Sequence, residues 1–128
     1  MGKWGTDGKY IDYTVELASG IQTLAEIKAD TVVTAGSNLT LVKLLKNGNY
    51  KSLRASGYMV NTDSKLQLRT TTYTSDSQSI SRNVLLDFST GQYKQGTTDL
   101  YSEYWDVDVL NTNTTDQSVR RLVVTGVR

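Results

Sequence analysis

The feature that most constrains this chain is a stretch of strict alternation. From Lys65 to Thr74, KLQLRTTTYT, the residues Leu66, Leu68, Thr70, Thr72 and Thr74 fall on one face. Lys65, Gln67, Arg69, Thr71 and Tyr73 fall on the other. A period of two is the signature of a strand with one face on a core, because successive side chains of extended backbone point to opposite sides. Asn83 to Phe88, Tyr101 to Leu110 and Val119 to Val127 read as further strands. They are separated by the turn-rich runs SDSQSIS, STGQYKQGTTD and NTNTTDQ. Many short strands between such runs predict an all-β fold, an antiparallel sandwich or barrel.

Two places are less direct. Leu39 to Ser56 carries LTLVKLL and YKSLRAS on either side of Lys46-Asn47-Gly48-Asn49. Asn-Gly readily supplies the two positive φ angles of a type I′ turn, so the spacing predicts a β-hairpin here. Thr14 to Ser19 reads as extended, whereas Ile21, Leu24, Ala25 and Lys28 also fit a helical spacing; Gly20 and the following Thr-Val-Val favour short strands. At 128 residues the chain is sized for one domain. Met1 to Tyr10, with Gly2, Gly5 and Gly8 around Trp4, reads as an extended N-terminal arm, leaving 11–128 as a single β domain. Trp4 would anchor that arm on its own domain or on a neighbouring copy.

Composition narrows the chemistry. The chain has no His and no Cys, which removes the usual general base, the thiol nucleophile and the commonest transition-metal ligands. Proline is also absent, leaving the turns to Gly, Asn, Asp and Ser. No cofactor or metal is expected, and the chain is read as a non-enzyme. A net charge of +1 calls for neither nucleic acid nor an anionic membrane, and no apolar run approaches the roughly 18 residues of a membrane span. The polar start MGKWGTDGKY lacks the apolar segment of a secretory leader. It fits the loose myristoylation pattern at Gly2 only weakly, and without a leader the sequons at Asn38 and Asn113 are read as chance.

Charge is nevertheless segregated. Lys43, Lys46, Lys51, Arg54, Lys65 and Arg69 stand against Asp63 alone between positions 43 and 69. Asp99, Glu103, Asp106, Asp108 and Asp116 have no cation among them between 99 and 116. As neighbours in one sheet the two segments neutralise each other; on opposite sides they favour head-to-tail association of copies. The interface expected on the second arrangement comprises Trp4, Lys43, Lys46, Lys51, Arg54, Asp99, Glu103, Asp106 and Asp108. Tyr50 and Tyr58 beside the basic segment also suit base stacking, but no nucleic-acid motif accompanies them.

Asp106 and Asp108, two apart on one strand, share a face with Tyr104. They read as solvent-facing acids, with calcium binding or acid–base catalysis as lesser readings, because D-x-D alone fixes neither ligand count nor carboxyl separation. On the opposite face Tyr101, Trp105, Val107 and Val109 form a core stripe interrupted by Glu103. An alternative use of the region is sugar binding, with Tyr101, Tyr104, Trp105 and Asp106 as a stacking and hydrogen-bonding platform.

In its short length, polar start, lack of Cys, Thr/Asn/Tyr-rich strands and Gly-rich arm, the chain resembles the small β-rich structural proteins of tailed-bacteriophage virions. These are head-decoration, head-to-tail joining and tail or baseplate components. The resemblance is one of composition along the whole chain and assigns no residue a role. It implies a non-enzymatic protein acting by repeated self-contact within a virion, made in the host cytoplasm without a signal peptide.

Overall fold

The computed structural model describes residues 20–46 and 50–128. Nine strands follow one another: β1 (Ile21–Ile27), β2 (Thr31–Val33), β3 (Asn38–Lys46), β4 (Ser52–Met59), β5 (Leu66–Tyr73), β6 (Ser79–Asp87), β7 (Tyr93–Asp99), β8 (Tyr104–Asn111) and β9 (Gln117–Val127). The ambiguous segment after Gly20 is therefore β1 and β2, as favoured over a helix. The expected arm at 1–10 and the extended reading of Thr14 to Ser19 lie outside the described residues. No helix among the described residues is long and apolar enough to cross a membrane.

The strands make two antiparallel sheets. The first has the order β1-β9-β4-β7, with β2 also on β9; the second has the order β3-β8-β5-β6. β1 and β2 run along the same side of β9, from Ile21 opposite Val127 to Val33 opposite Gln117. Counted as one bent strand, they leave eight strands whose pairing is nested: β1/β2 with β9, β3 with β8, β4 with β7, and β5 with β6. The chain is thus one long hairpin bent at Thr74 to Gln78 and rolled so that successive pairs alternate between sheets. This is the jelly-roll form of the β-sandwich.

Two expectations give way to this nesting. The hairpin across Asn47-Gly48 does not form, because β3 pairs with β8 in one sheet and β4 with β7 and β9 in the other. The connection joins the sheets, and its turn lies outside the described residues. Second, the run STGQYKQGTTD, read as a loop, contains β7. Gly96 explains part of its polar, small-residue character: a Cβ there would lie 2.7 Å from the Leu85 carbonyl oxygen, where β7 passes close to β6.

The core follows from the alternation. Leu53, Ala55 and Met59 of β4 and Val119, Leu122 and Val124 of β9 face Leu66 and Leu68 of β5 and Trp105, Val107 and Val109 of β8. Trp105, 1% exposed, meets the Tyr50 ring edge-on, with centroids 6.3 Å apart. Buried polar groups are satisfied. Asn111 donates to the Val33 and Thr115 carbonyls and accepts from the Asn113 amide, tying the β8–β9 loop to β2.

Candidate functional site

The outer faces of the two sheets were formed by the same alternation and differ in how their polar groups are used. On the second sheet, register sets Arg69 of β5 opposite Asp108 of β8 and Thr71 opposite Asp106. Arg69 Nε donates to Asp108 Oδ1 at 3.1 Å, and its Nη2 to Oδ2 at 2.8 Å, a two-point pairing that matches the fork of a guanidinium to a carboxylate. Asn38 Nδ2, from β3, donates to the same Oδ2 at 2.7 Å. Tyr73 donates its hydroxyl to Asp106 at 2.7 Å, and Arg82 donates to Thr71 at 3.0 Å. The hydrogen bonds from Arg69 to Asp108 hold the guanidinium pKa above its ordinary value. Burial first, then the bond to Asp106, pushes the Tyr73 phenol up.

This arrangement corrects several sequence expectations. Asp108 is not a solvent-facing acid: it is 9% exposed and paired within the subunit. The basic and acidic segments are neighbours, with β5 beside β8 and with Ser52 of β4 opposite Asp99 of β7. The array of two opposed patches therefore does not arise from them. Lys43 is exposed on β3, Lys46 ends that strand opposite Tyr104, Lys51 precedes β4, and Glu103 lies in the loop before β8. Trp4 lies outside the described residues. The stacking platform also dissolves, since Trp105 is in the core. Tyr101, 85% exposed, precedes β8, and Asp106 is engaged by Tyr73. Tyr104 stays on the outer face, half-buried. Among the described residues no three His, Cys, Asp or Glu side chains gather around one point.

The first sheet carries the candidate site. Across it, Arg121 of β9, Tyr58 of β4 and Tyr93 of β7 stand in one row; Glu26, Val123, Ser56 and Gln95 in the next; Thr23, Thr125, Arg54 and Thr97 in the third. Tyr58 and Tyr93 stack with centroids 4.3 Å apart and planes within 5°. Arg120 lies 5.7 Å over Tyr58 and pairs with Asp30 at 3.1 Å. Hydrogen bonding with Tyr93, then with Arg120, holds the Tyr58 phenol below its ordinary pKa, and the bond with Tyr58 holds Tyr93 above it. Tyr93 remains 70% exposed.

A depression of 280 Å³ lies beside the tyrosines, and one of 420 Å³ lies over Arg54, Gln95, Thr97 and Thr125. Both include Ser56 and Val123, so they form one trough along β4. Sequence reasoning identified Tyr58 as a ring suited to base stacking and Arg54 as an interface cation of the basic segment. Tyr93 stood among the tyrosines suited to sugar stacking, but Gln95 and Arg120 were missed, because these residues meet through pairings between distant parts of the chain.

Neither a model of a known protein family nor a curated protein sequence matches the chain. Solved structures do resemble it. The VP2 subviral particle of infectious bursal disease virus superposes with a TM-score of 0.52 at 8% identity, over 84% of this chain and 32% of the viral one. This chain therefore spans about a third of that protein's length. The Yersinia pseudotuberculosis-derived mitogen gives 0.48 at 13% identity, over 84% and 86%. A carbohydrate-binding module of Cellvibrio mixtus lichenase 5A, in complex with cellotriose, gives 0.41 at 9% identity, over 84% and 91%. The viral likeness shows a shared fold, which by itself assigns no function.

Proposed function

We propose that the chain is a non-enzymatic structural protein of a virion, a capsid-decoration, head-to-tail joining or tail component that acts by repeated contact with its own copies. The observation that carries this reading is the jelly-roll likeness over most of the chain to a protein whose solved form is a viral particle. It agrees with the composition that the chain shares with small tailed-phage structural proteins.

The surface we propose for self-contact replaces the charged segments. β6 ends the second sheet, and an end strand offers unpaired backbone groups to another chain. Along it Ile80 is 60% exposed and Val84 50% exposed, with Arg82 between them. Analytical ultracentrifugation of the full chain over a range of concentration and salt tests the reading. Association that grows with concentration and is abolished by Ile80→Lys with Val84→Lys supports it. A strict monomer at every concentration overturns it.

A further inference from the structure

We propose that the trough on the outer face of the first sheet binds an oligosaccharide bearing a carboxylate. The acid group would lie on Arg54, and a sugar ring would lie against the exposed face of Tyr93. The charge of the trough argues for an anion. Arg54 and Arg121, which line it, have no carboxylate partner among the described residues. Of the nearby acids, Glu26 pairs with Lys28 at 3.5 Å and Asp30 with Arg120, while Asp99, one row beyond Thr97, accepts from the Tyr101 hydroxyl at 3.3 Å and lines neither depression. Arg121 donates to the Lys28 and Arg120 carbonyls, which leaves its charge uncompensated. A guanidinium on an exposed strand face, free of internal pairing, is suited to two-point recognition of a carboxylate.

The uncharged lining argues for a sugar. Ser56, Gln95 and Thr125 bring hydroxyl and amide groups to the floor, and Thr97, whose hydroxyl donates to the Leu53 carbonyl at 3.0 Å, adds an acceptor, which suits a ligand that both donates and accepts along its length. Tyr58 is covered on one ring face by Tyr93 and approached by Arg120 on the other. That stack fixes the orientation of Tyr93 and leaves its outer face for the apolar side of a pyranose. From Tyr58 to Arg54 the strand runs four residues, about 13 Å at the usual strand rise. The ligand is accordingly two or more linked sugars, not one. A single-stranded nucleic acid fits less well, because it needs a cation near each phosphate along its path, whereas the guanidiniums of Arg54 and Arg121 stand two rows apart with uncharged Ser56, Gln95 and Val123 in the row between them.

The proposal stands apart from the virion reading: a monomer that binds keeps it, and an assembly that does not bind removes it. The test is an amide-resolved NMR titration of the full chain with tetragalacturonate, its methyl ester, sialyllactose, an eight-residue oligothymidylate and an octaglutamate peptide. Saturable shifts at Ser56, Gln95, Thr97 and Thr125 with tetragalacturonate or sialyllactose are expected, and which of the two binds tells a uronate from a sialate. Arg54→Ala should weaken the acidic probe by about ten-fold or more and leave the methyl ester unchanged. Tyr93→Ala should weaken both by about five-fold. Both residues are exposed, and unchanged melting of the variants shows that the fold is kept. No shift on this face with either sugar acid, equal binding by Arg54→Ala, or tighter binding of the oligonucleotide or the peptide overturns the proposal.

Discussion

The two outer faces of this sandwich are built from the same elements, antiparallel strands with polar side chains at every second position, yet they are used in opposite ways. On the second sheet Arg69, Asp108, Asn38, Tyr73, Asp106, Arg82 and Thr71 are joined by hydrogen bonds across all four strands. On the first sheet, Arg54 and Gln95 point outward beside a trough. The comparison shows that charge in a sequence does not identify a contact surface. What matters is whether strand register brings a charge its counter-ion, and β5 against β8 does so where β4 against β7 does not.

The largest effect should come from breaking the satisfied face. Asp108→Ala leaves the Arg69 guanidinium, 14% exposed in its side chain, without its partner, and should lower stability by about 3 kcal/mol in urea unfolding. Replacing both, with Arg69→Met and Asp108→Leu, should recover most of that loss, since the penalty lies in the orphaned charge and not in the absent pair. Asn38→Ala removes one bond to the same carboxylate and should cost about 1 kcal/mol. Arg54→Ala on the open face should change stability by no more than about 0.5 kcal/mol; a loss near that of Asp108→Ala would show that the two faces are alike after all.

The tyrosine stack gives the comparison its finest probe. Tyr58 is held below the ordinary phenol pKa by Tyr93 and then Arg120, so as pH rises it should ionise ahead of Tyr73, which burial and Asp106 hold above that value. Ring-labelled tyrosine NMR reads each phenol separately. Tyr93→Phe removes the leading cause and should move the Tyr58 midpoint upward; an unmoved midpoint would leave Arg120 as the dominant influence.

Much of the fold was legible where one face of a strand is apolar. The alternation of Lys65 to Thr74 gave β5 within a residue at each end, and the Trp105, Val107, Val109 stripe gave the buried side of β8. β7 was illegible for a physical reason. It is an edge strand whose outward residues are Tyr93, Gln95, Thr97 and Asp99 and whose other side carries Lys94, Gly96 and Thr98, so no apolar period marks it. The Asn-Gly signal misled because turn chemistry is local, whereas the partners of β3 and β4 are chosen by pairing with strands far along the chain. The candidate site was illegible for the same reason: Tyr58, Tyr93 and Arg120 become neighbours only once β7 and β9 flank β4.

The nesting of the strands also orders their assembly. β5 and β6 meet across a short turn, β4 and β7 enclose them, and β9 closes last, entering between β4 and the bent β1/β2 strand. Until β9 is made, the first sheet is two separate pieces and Leu53, Met59 and Ile27 lack the wall that Leu122 and Val124 supply. Closure of the first sheet must therefore wait for β9 to thread into the centre of a sheet whose sides already exist, through pairings far apart in sequence.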